Sequence, residues 1–246
     1  MTAVPRRPPL PSVTADQMRE VDRILVEEVG LQLVQMMENA GRHLAELAVT
    51  RFAPRSCTVL AGSGGNGGGG MVAARHLRSR GVDVAVVPVR TTPAGVTGEQ
   101  LELLRKIGVP VTADPVAAHL VIDAVLGYGG RGDPTGRAGA LVAWAAEVDA
   151  PVLALDVPSG LDATTGQTGD PCVHAAATLT LGLPKRGLAL APPHVTGVVY
   201  TADIGVPDWV YARVGVDVHT PFAAGAIVAA DHGTPGTARS GHGSVA

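Results

Sequence analysis

The residues best suited to chemistry in this 246-residue chain stand at the ends of three apolar runs. After Val59-Leu-Ala61 comes Gly62-Ser-Gly-Gly-Asn-Gly-Gly-Gly-Gly70, a strand-to-helix turn in which glycines surround Asn66. Backbone N–H groups and a helix N-terminus can approach an anionic or strongly polar ligand through such a turn, because no side chains intervene. Asp123 lies inside Val121-Ile-Asp-Ala-Val-Leu126 and is followed by a glycine-laced loop running to Gly136. Asp156 sits in the equally apolar Leu155-Asp-Val-Pro-Ser-Gly160, with Ser159 at the turn. An unpaired carboxylate is costly to bury, so both must find donors, a cation or a proton. A loop cap would account for one such aspartate; two, each beside a glycine-rich exit, point to a site. Asn66, Asp123 and Ser159 offer an amide carbonyl, a carboxylate and a hydroxyl, the hard oxygen donors that alkali and alkaline-earth cations prefer. His43, His76, His119, His174 and His194 are scattered and suggest no zinc site. Lys185, in Leu183-Pro-Lys-Arg-Gly187, either faces the same strand ends or is simply solvated.

The glycine turn also spells G-x-G-x-x-G at Gly62, Gly64 and Gly67. A dinucleotide fingerprint pairs that turn with an acidic residue at the end of the next strand, about 20 residues on. Val87-Pro-Val-Arg90 occupies that position, and Asp83 stands at the wrong end of the strand, so an ordinary dehydrogenase is a minor reading.

The elements that must hold these residues follow from periodicity. Thr14-Ala-Asp-Gln17 has capping-box spacing, and Met18, Val21, Leu25 and Val29 recur at helical intervals before Gly30. Met36, Met37, Ala40, Leu44 and Leu47 continue the pattern in a second helix, where the methionines are read as core packing and Gly41 as a close helix crossing. Short apolar runs follow at 57–61, 84–89, 120–126, 152–157, 178–183 and 198–202, and their continuity suits parallel strands covered on both faces. Helical segments alternate with them: one starting near Met71, one at 98–107 with Thr97 and Gln100 in capping-box spacing, and one at 138–148. This alternation predicts a doubly wound parallel sheet in a single domain over 14–217, with a flexible leader at 1–13 and a flexible tail at 218–246.

Composition narrows the function. A net charge of −3 with 17% charged residues gives no electrostatic reason to expect nucleic acid or an acidic membrane surface. No run approaches the roughly 18 apolar residues of a membrane span, and prolines interrupt the N-terminal segment where a signal peptide needs an apolar stretch. Cys57 and Cys172 form neither a disulfide framework nor a metal-ligand spacing, so the reducing cytoplasm is the default expectation.

Met37-Glu-Asn-Ala-Gly41, the glycine turn with Met71-Val-Ala-Ala-Arg-His-Leu77, Val121-Ile-Asp-Ala-Val-Leu-Gly127, Leu155-Asp-Val-Pro-Ser-Gly160 and Pro184-Lys-Arg-Gly187 occur in the order found in a known family. Over about Thr14 to Tyr211 the chain resembles the NAD(P)H-hydrate epimerases, the YjeF N-terminal domain family. The resemblance implies an α/β fold, a Rossmann-like three-layer α/β/α sandwich with a mostly parallel doubly wound sheet, often as a homodimer. It implies an isomerase that interconverts the R and S forms of hydrated NADH and NADPH (NADHX and NADPHX) at nicotinamide C6. That activity serves nicotinamide nucleotide repair beside a separate ADP- or ATP-dependent dehydratase. By motif, Asn66, Asp123 and Ser159 match potassium-coordinating positions, one ion per subunit. Gly65, Asn66, Gly67, Gly68, Gly69 and Asp156 match substrate contacts, as do Gly127, Tyr128, Gly129, Gly130, Arg131, Gly132 and Asp133. Asp156 is the candidate acid–base residue, with Asp123 organising the cation and loop. The family pattern G-N-N-G-G-D-G is broken by Gly65 and Gly69, which removes a carboxylate near the helix start. That departure opens the alternative of a catalytically silent ligand-binding or self-association module on the same fold.

Overall fold

The computed structural model describes residues 10–219 and 221–230. Seven strands form one sheet: β1 Ser56–Ala61, β2 Asp83–Pro88, β3 Leu120–Ala124, β4 Val152–Leu155, β5 Ala177–Leu181, β6 Val198–Ala202 and β7 Ile227–Ala229. Their order is β2-β1-β3-β4-β5-β6-β7, parallel throughout except for β7, which runs antiparallel to β6. The chain builds β2 on one side of β1 and then crosses to place β3 on the other, so the sheet has its switch point between β1 and β3. Ligands of open α/β sheets bind beyond the strand ends at that point.

The helices are α1 Ala15–Arg23, α2 Leu33–Phe52, α3 Gly65–Ser79, α4 Gly95–Lys106, α5 Gly136–Glu147, α6 Arg186–Leu190, α7 Pro193–Thr196 and α8 Asp208–Arg213. Alternate strand residues go to opposite faces. Val59, Ile122 and Ala124 pack with Leu44, Met71 and Leu101 of α2, α3 and α4, while Leu60 and Val121 pack with Leu141 and Val142 of α5. Both faces are therefore apolar, which is why these strands read as nearly continuous apolar runs. Among the described residues no helix is long and apolar enough to cross a membrane.

Local signals behave as expected at several points. Thr14 Oγ accepts the Gln17 N–H (3.1 Å) and Gln17 Oε1 accepts the Thr14 N–H (2.8 Å), completing the capping box of α1. Gly41 marks the crossing of α2 over α3, since a Cβ there would lie 2.5 Å from Val72 and 2.6 Å from the Gly69 carbonyl oxygen.

Four expectations need correction. The helix expected from near Met71 begins at Gly65, so most of the glycine segment is helix rather than turn. Thr97 is not an N-cap: α4 starts at Gly95, and the buried Thr97 hydroxyl instead donates to the Gly64 carbonyl (3.1 Å). Val13, placed in the leader, is fully buried and bridges Lys185 in strand fashion. The tail assigned to 218–246 includes β7, which pairs with β6 and whose three residues carry too little pattern to be read alone. Of the expected leader and tail, residues 1–9, 220 and 231–246 lie outside the described residues.

Candidate functional site

Packing explains the glycines at the start of α3. A Cβ at Gly67 would lie 1.9 Å from the Gly62 carbonyl oxygen, one at Gly68 2.6 Å from the Met37 sulfur, and one at Gly70 2.5 Å from Ala124 Cβ. Without side chains the helix N-terminus sinks between α2 and the ends of β1 and β3. Gly69 faces Leu155, whose Cδ2 would stand 3.0 Å from an added Cβ.

Asp123, in β3, is fully buried. Its Oδ2 accepts the Ser159 N–H (2.7 Å), and its Oδ1 accepts the Ser159 hydroxyl (2.6 Å) and the Val125 N–H (3.2 Å). Ser159 Oγ in turn accepts the Leu126 N–H (2.8 Å). Burial raises the Asp123 carboxyl above its ordinary value, and the Ser159 bonds act against that rise.

Asp156 follows β4 directly. Its φ of +72° and the bond from Val157 N–H to the Leu155 carbonyl (3.0 Å) describe a γ-turn, a conformation rare for a residue other than glycine. Such strain persists where surrounding contacts over-determine it, commonly at functional sites, at about 1–3 kcal/mol. Here the contacts are specific. Asp156 Oδ2 accepts the Tyr128 N–H (2.8 Å), and Oδ1 accepts the Thr180 hydroxyl (3.4 Å) and pairs with Lys185 Nζ (2.6 Å). Lys185 is fully buried, also donates to the Leu181 carbonyl (2.7 Å), and stands 5.8 Å from the centre of the Tyr128 ring. Its backbone is fixed by Val13, which donates to the Pro184 carbonyl and accepts from the Arg186 N–H.

These groups open onto a cavity of about 450 Å³ at the switch point. Its walls are largely apolar, with Met18, Leu33, Met36, Met37, Leu181 and Ile204 facing Asn66, Asp156 and Lys185. Asn66 and Asp156 both reach the backbone of Gly127, where an added Cβ would lie 3.1 Å from Asp156 Oδ2 and 3.3 Å from Asn66 Oδ1. The Asn66 Nδ2 is buried and has no hydrogen-bond partner among the described residues.

Of the residues expected to contact substrate, Gly65, Asn66, Gly69, Gly127, Tyr128, Gly129, Gly130 and Asp156 line this cavity. Gly67 and Gly68 do not; they are pressed against Gly62 and Met37 and act by letting the helix approach. Arg131, Gly132 and Asp133 line a neighbouring hollow of about 210 Å³, which shares Gly127 and Gly130 with the first. Asp123 and Ser159 lie behind the cavity wall, bonded to the loop that carries Gly127. Met36 and Met37, read as core, are buried as expected but also form cavity wall. Lys185 is buried in the site rather than solvated.

Asp22, on α1, went unrecognised in the sequence. It lines the cavity, and its Oδ2 accepts the Tyr128 hydroxyl (2.5 Å). The available signal was its place among Met18, Val21 and Leu25, an acidic residue on the buried stripe of an amphipathic helix.

Comparison with known proteins matches residues 33–187 to the family described as YjeF-related protein N-terminus. An NAD(P)H-hydrate epimerase of Dehalogenimonas lykanthroporepellens is 43% identical over 226 residues, covering 88% of this chain and 91% of the relative. A second, from Rhodopirellula baltica, is 34% identical over 80% of this chain and 86% of that protein. The bifunctional NAD(P)H-hydrate repair enzyme Nnr of Moorella thermoacetica is 35% identical over 79% of this chain, which spans only 40% of that longer protein. In three dimensions the crystal structure of yeast YNL200c superposes with a TM-score of 0.79 at 23% identity, covering 89% of this chain and all of the yeast chain, a likeness of fold.

Proposed function

The chain belongs to the YjeF-related N-terminal family, and from that premise we propose that it is an NAD(P)H-hydrate epimerase, an isomerase of nicotinamide nucleotide repair. The observation that carries this reading onto the site is the sealed Asp156–Lys185 pair at the wall of a largely apolar cavity. In the hydrated substrate the C6 hydroxyl sits on a carbon bonded to the ring nitrogen. Protonation and loss of that oxygen as water leaves a ring cation, and water returning to the other face completes the inversion. A site for this reaction needs an apolar slot for the ring, an anion beside the developing cation, and a proton acceptor within reach of C6.

The cavity supplies the slot, and its volume falls in the range of small-molecule sites, which hold about 300–1,000 Å³. Asp156 supplies the anion and the acceptor: Lys185, Tyr128 and Thr180 hold its oxygens in a fixed direction, so little reorganisation is needed when charge develops on the ring. Lys185 balances Asp156 without blocking Oδ2. The loop from Gly127 to Asp133 runs along both hollows and is suited to contact the part of the dinucleotide beyond the ring.

What supports potassium is donor chemistry: Asn66 in the cavity wall, and Asp123 and Ser159 behind it, carry oxygens of the kind that ion takes. Asp123 is a fully buried carboxylate whose partners among the described residues, Ser159 and the Val125 N–H, are neutral, so a bound cation would balance its charge. Asn66, Asp123 and Ser159 would hold the ion, which when bound supplies a positive charge offsetting Asp123 and steadies the loop at 125–127.

The test couples the protein to a dehydratase that consumes only the S epimer, with potassium present, and follows loss of the R epimer. Consumption faster than the spontaneous rate is expected, and Asp156→Asn should slow it by about 100-fold or more. An unaccelerated wild-type reaction would remove the epimerase reading; an Asp156→Asn variant at full rate would remove Asp156 from its role.

A further inference from the structure

Tyr128 holds a carboxyl group at each end. Its N–H donates to Asp156 Oδ2 and its hydroxyl to Asp22 Oδ2, and both aspartates line the same cavity. Their surroundings differ. Asp156 receives the Lys185 ammonium and the Thr180 hydroxyl in addition to Tyr128. Among the described residues Asp22 receives only the Tyr128 hydroxyl, and its Oδ1 is sealed from solvent with no partner. A buried polar atom left unmatched calls for an explanation, a catalytic role being one, and the cavity that Asp22 lines is where such a role would be exercised. The helix carrying Asp22 also leaves α geometry after Arg23, continuing as a π-helical segment over Ile24–Val29, a feature frequent at functional sites.

The groups bearing on the Asp22 charge are Tyr128, Lys185 and Asp156. Burial is the largest influence and raises the Asp22 carboxyl above its ordinary value, with the Tyr128 bond and Lys185 opposing the rise. Two carboxyl groups in one site whose environments diverge are suited to divide acid and base roles.

We propose that Asp22 is the second acid–base residue of the epimerisation, acting at the C6 oxygen on one face of the ring while Asp156 acts on the other. The inference rests on the epimerase reading. With Asp22 as the acid, its proton passes to the C6 oxygen and the C6–O bond breaks with both electrons going to oxygen. Water departs, and the N1 lone pair forms the C6=N1 bond. A water molecule on the Asp156 side then forms the new C6–O bond, the C6=N1 electrons return to N1, and the surplus proton goes to Asp156. The reverse direction exchanges the two roles. After product leaves, proton exchange with solvent restores the starting state.

Asp22→Asn keeps the size of the side chain and an acceptor for Tyr128 but has no acidic proton. In the coupled assay, and in its reverse from the S epimer, kcat should fall by about 100-fold or more in both directions, with KM within about threefold of wild type. The melting temperature should hold or rise, because a buried carboxyl with an unmatched oxygen is replaced by a neutral amide. A kcat within about threefold of wild type overturns the assignment. So does a loss of rate accompanied by a drop in melting temperature of more than about 10 °C, which would make Asp22 a structural residue. Wild-type protein is assayed in parallel, so an inactive wild type strikes the epimerase reading, whereas an active wild type with an active variant strikes only this one.

Discussion

Replacing Lys185 by methionine should destabilise the protein by about 3–5 kcal/mol, the usual consequence of removing one partner of a buried ion pair. The structure argues for that range. Lys185 Nζ lies 2.6 Å from Asp156 Oδ1, and the two side chains are 0% and 4% exposed, so loss of the ammonium leaves a carboxylate with little solvation. Methionine fills the stem but leaves Asp156 with two neutral donors, Tyr128 N–H and Thr180 hydroxyl, and strips the Leu181 carbonyl of the bond from Nζ. In a domain of this size each kcal/mol moves the melting temperature by about 2–4 °C, so the expected fall is about 6–20 °C. Adding Asp156→Asn removes the stranded charge. Asparagine accepts the φ of +72° more readily than most residues. The double variant should therefore recover at least about 2 kcal/mol of the loss. Urea denaturation followed by circular dichroism gives both quantities. A loss below about 1 kcal/mol for Lys185→Met, or a double variant no more stable than the single one, would refute the account of this pair.

Gly70→Ala should destabilise by about 1–3 kcal/mol despite alanine's better helix propensity, because its Cβ would stand 2.5 Å from Ala124 on β3. Gly65→Ala meets nothing nearer than 3.9 Å and should be neutral or stabilising by up to about 1 kcal/mol; thermal melts that fail to separate the two would contradict the packing argument. Burial lowers the pKa of His43 below its ordinary value, so in the pH interval between the folded and unfolded values the unfolded chain binds the extra proton. The stability associated with neutral His43 is then fully present above about pH 6.5 and is lost as pH falls toward the lowered folded value. His43→Gln should flatten the stability profile between about pH 7 and 5, and an unchanged slope would show that another group sets it.

Legibility in the sequence followed the range of the interactions. β1, β3 and β4 were visible because strands covered on both faces are apolar at every position, and the two carboxylates stood out against that background. The glycine segment was visible as unusual and misread in form. Glycine lowers helix propensity, so a run of it reads as a turn, and only the approach of Met37, Gly62 and Ala124 shows why those positions carry no side chain. Lys185 could be read two ways, since nothing local tells a solvated lysine from one that Val13 seals against Asp156.

What the sequence determined by itself is the parallel alternation, the capping box of α1, the crossing at Gly41, and the placing of Asp123 and Asp156 at strand ends. All of these are signalled by residues within a turn or two of one another, or by a face whose period repeats locally. The tertiary structure alone decided that Asp22 meets Tyr128 across 106 residues of sequence, that Lys185 pairs with Asp156, and that Asp123 sits behind the cavity wall rather than in it. The reason is physical: a buried charge takes whatever partner the fold brings within about 3 Å, and that choice is made by packing between distant elements, not by the neighbours a residue has along the chain.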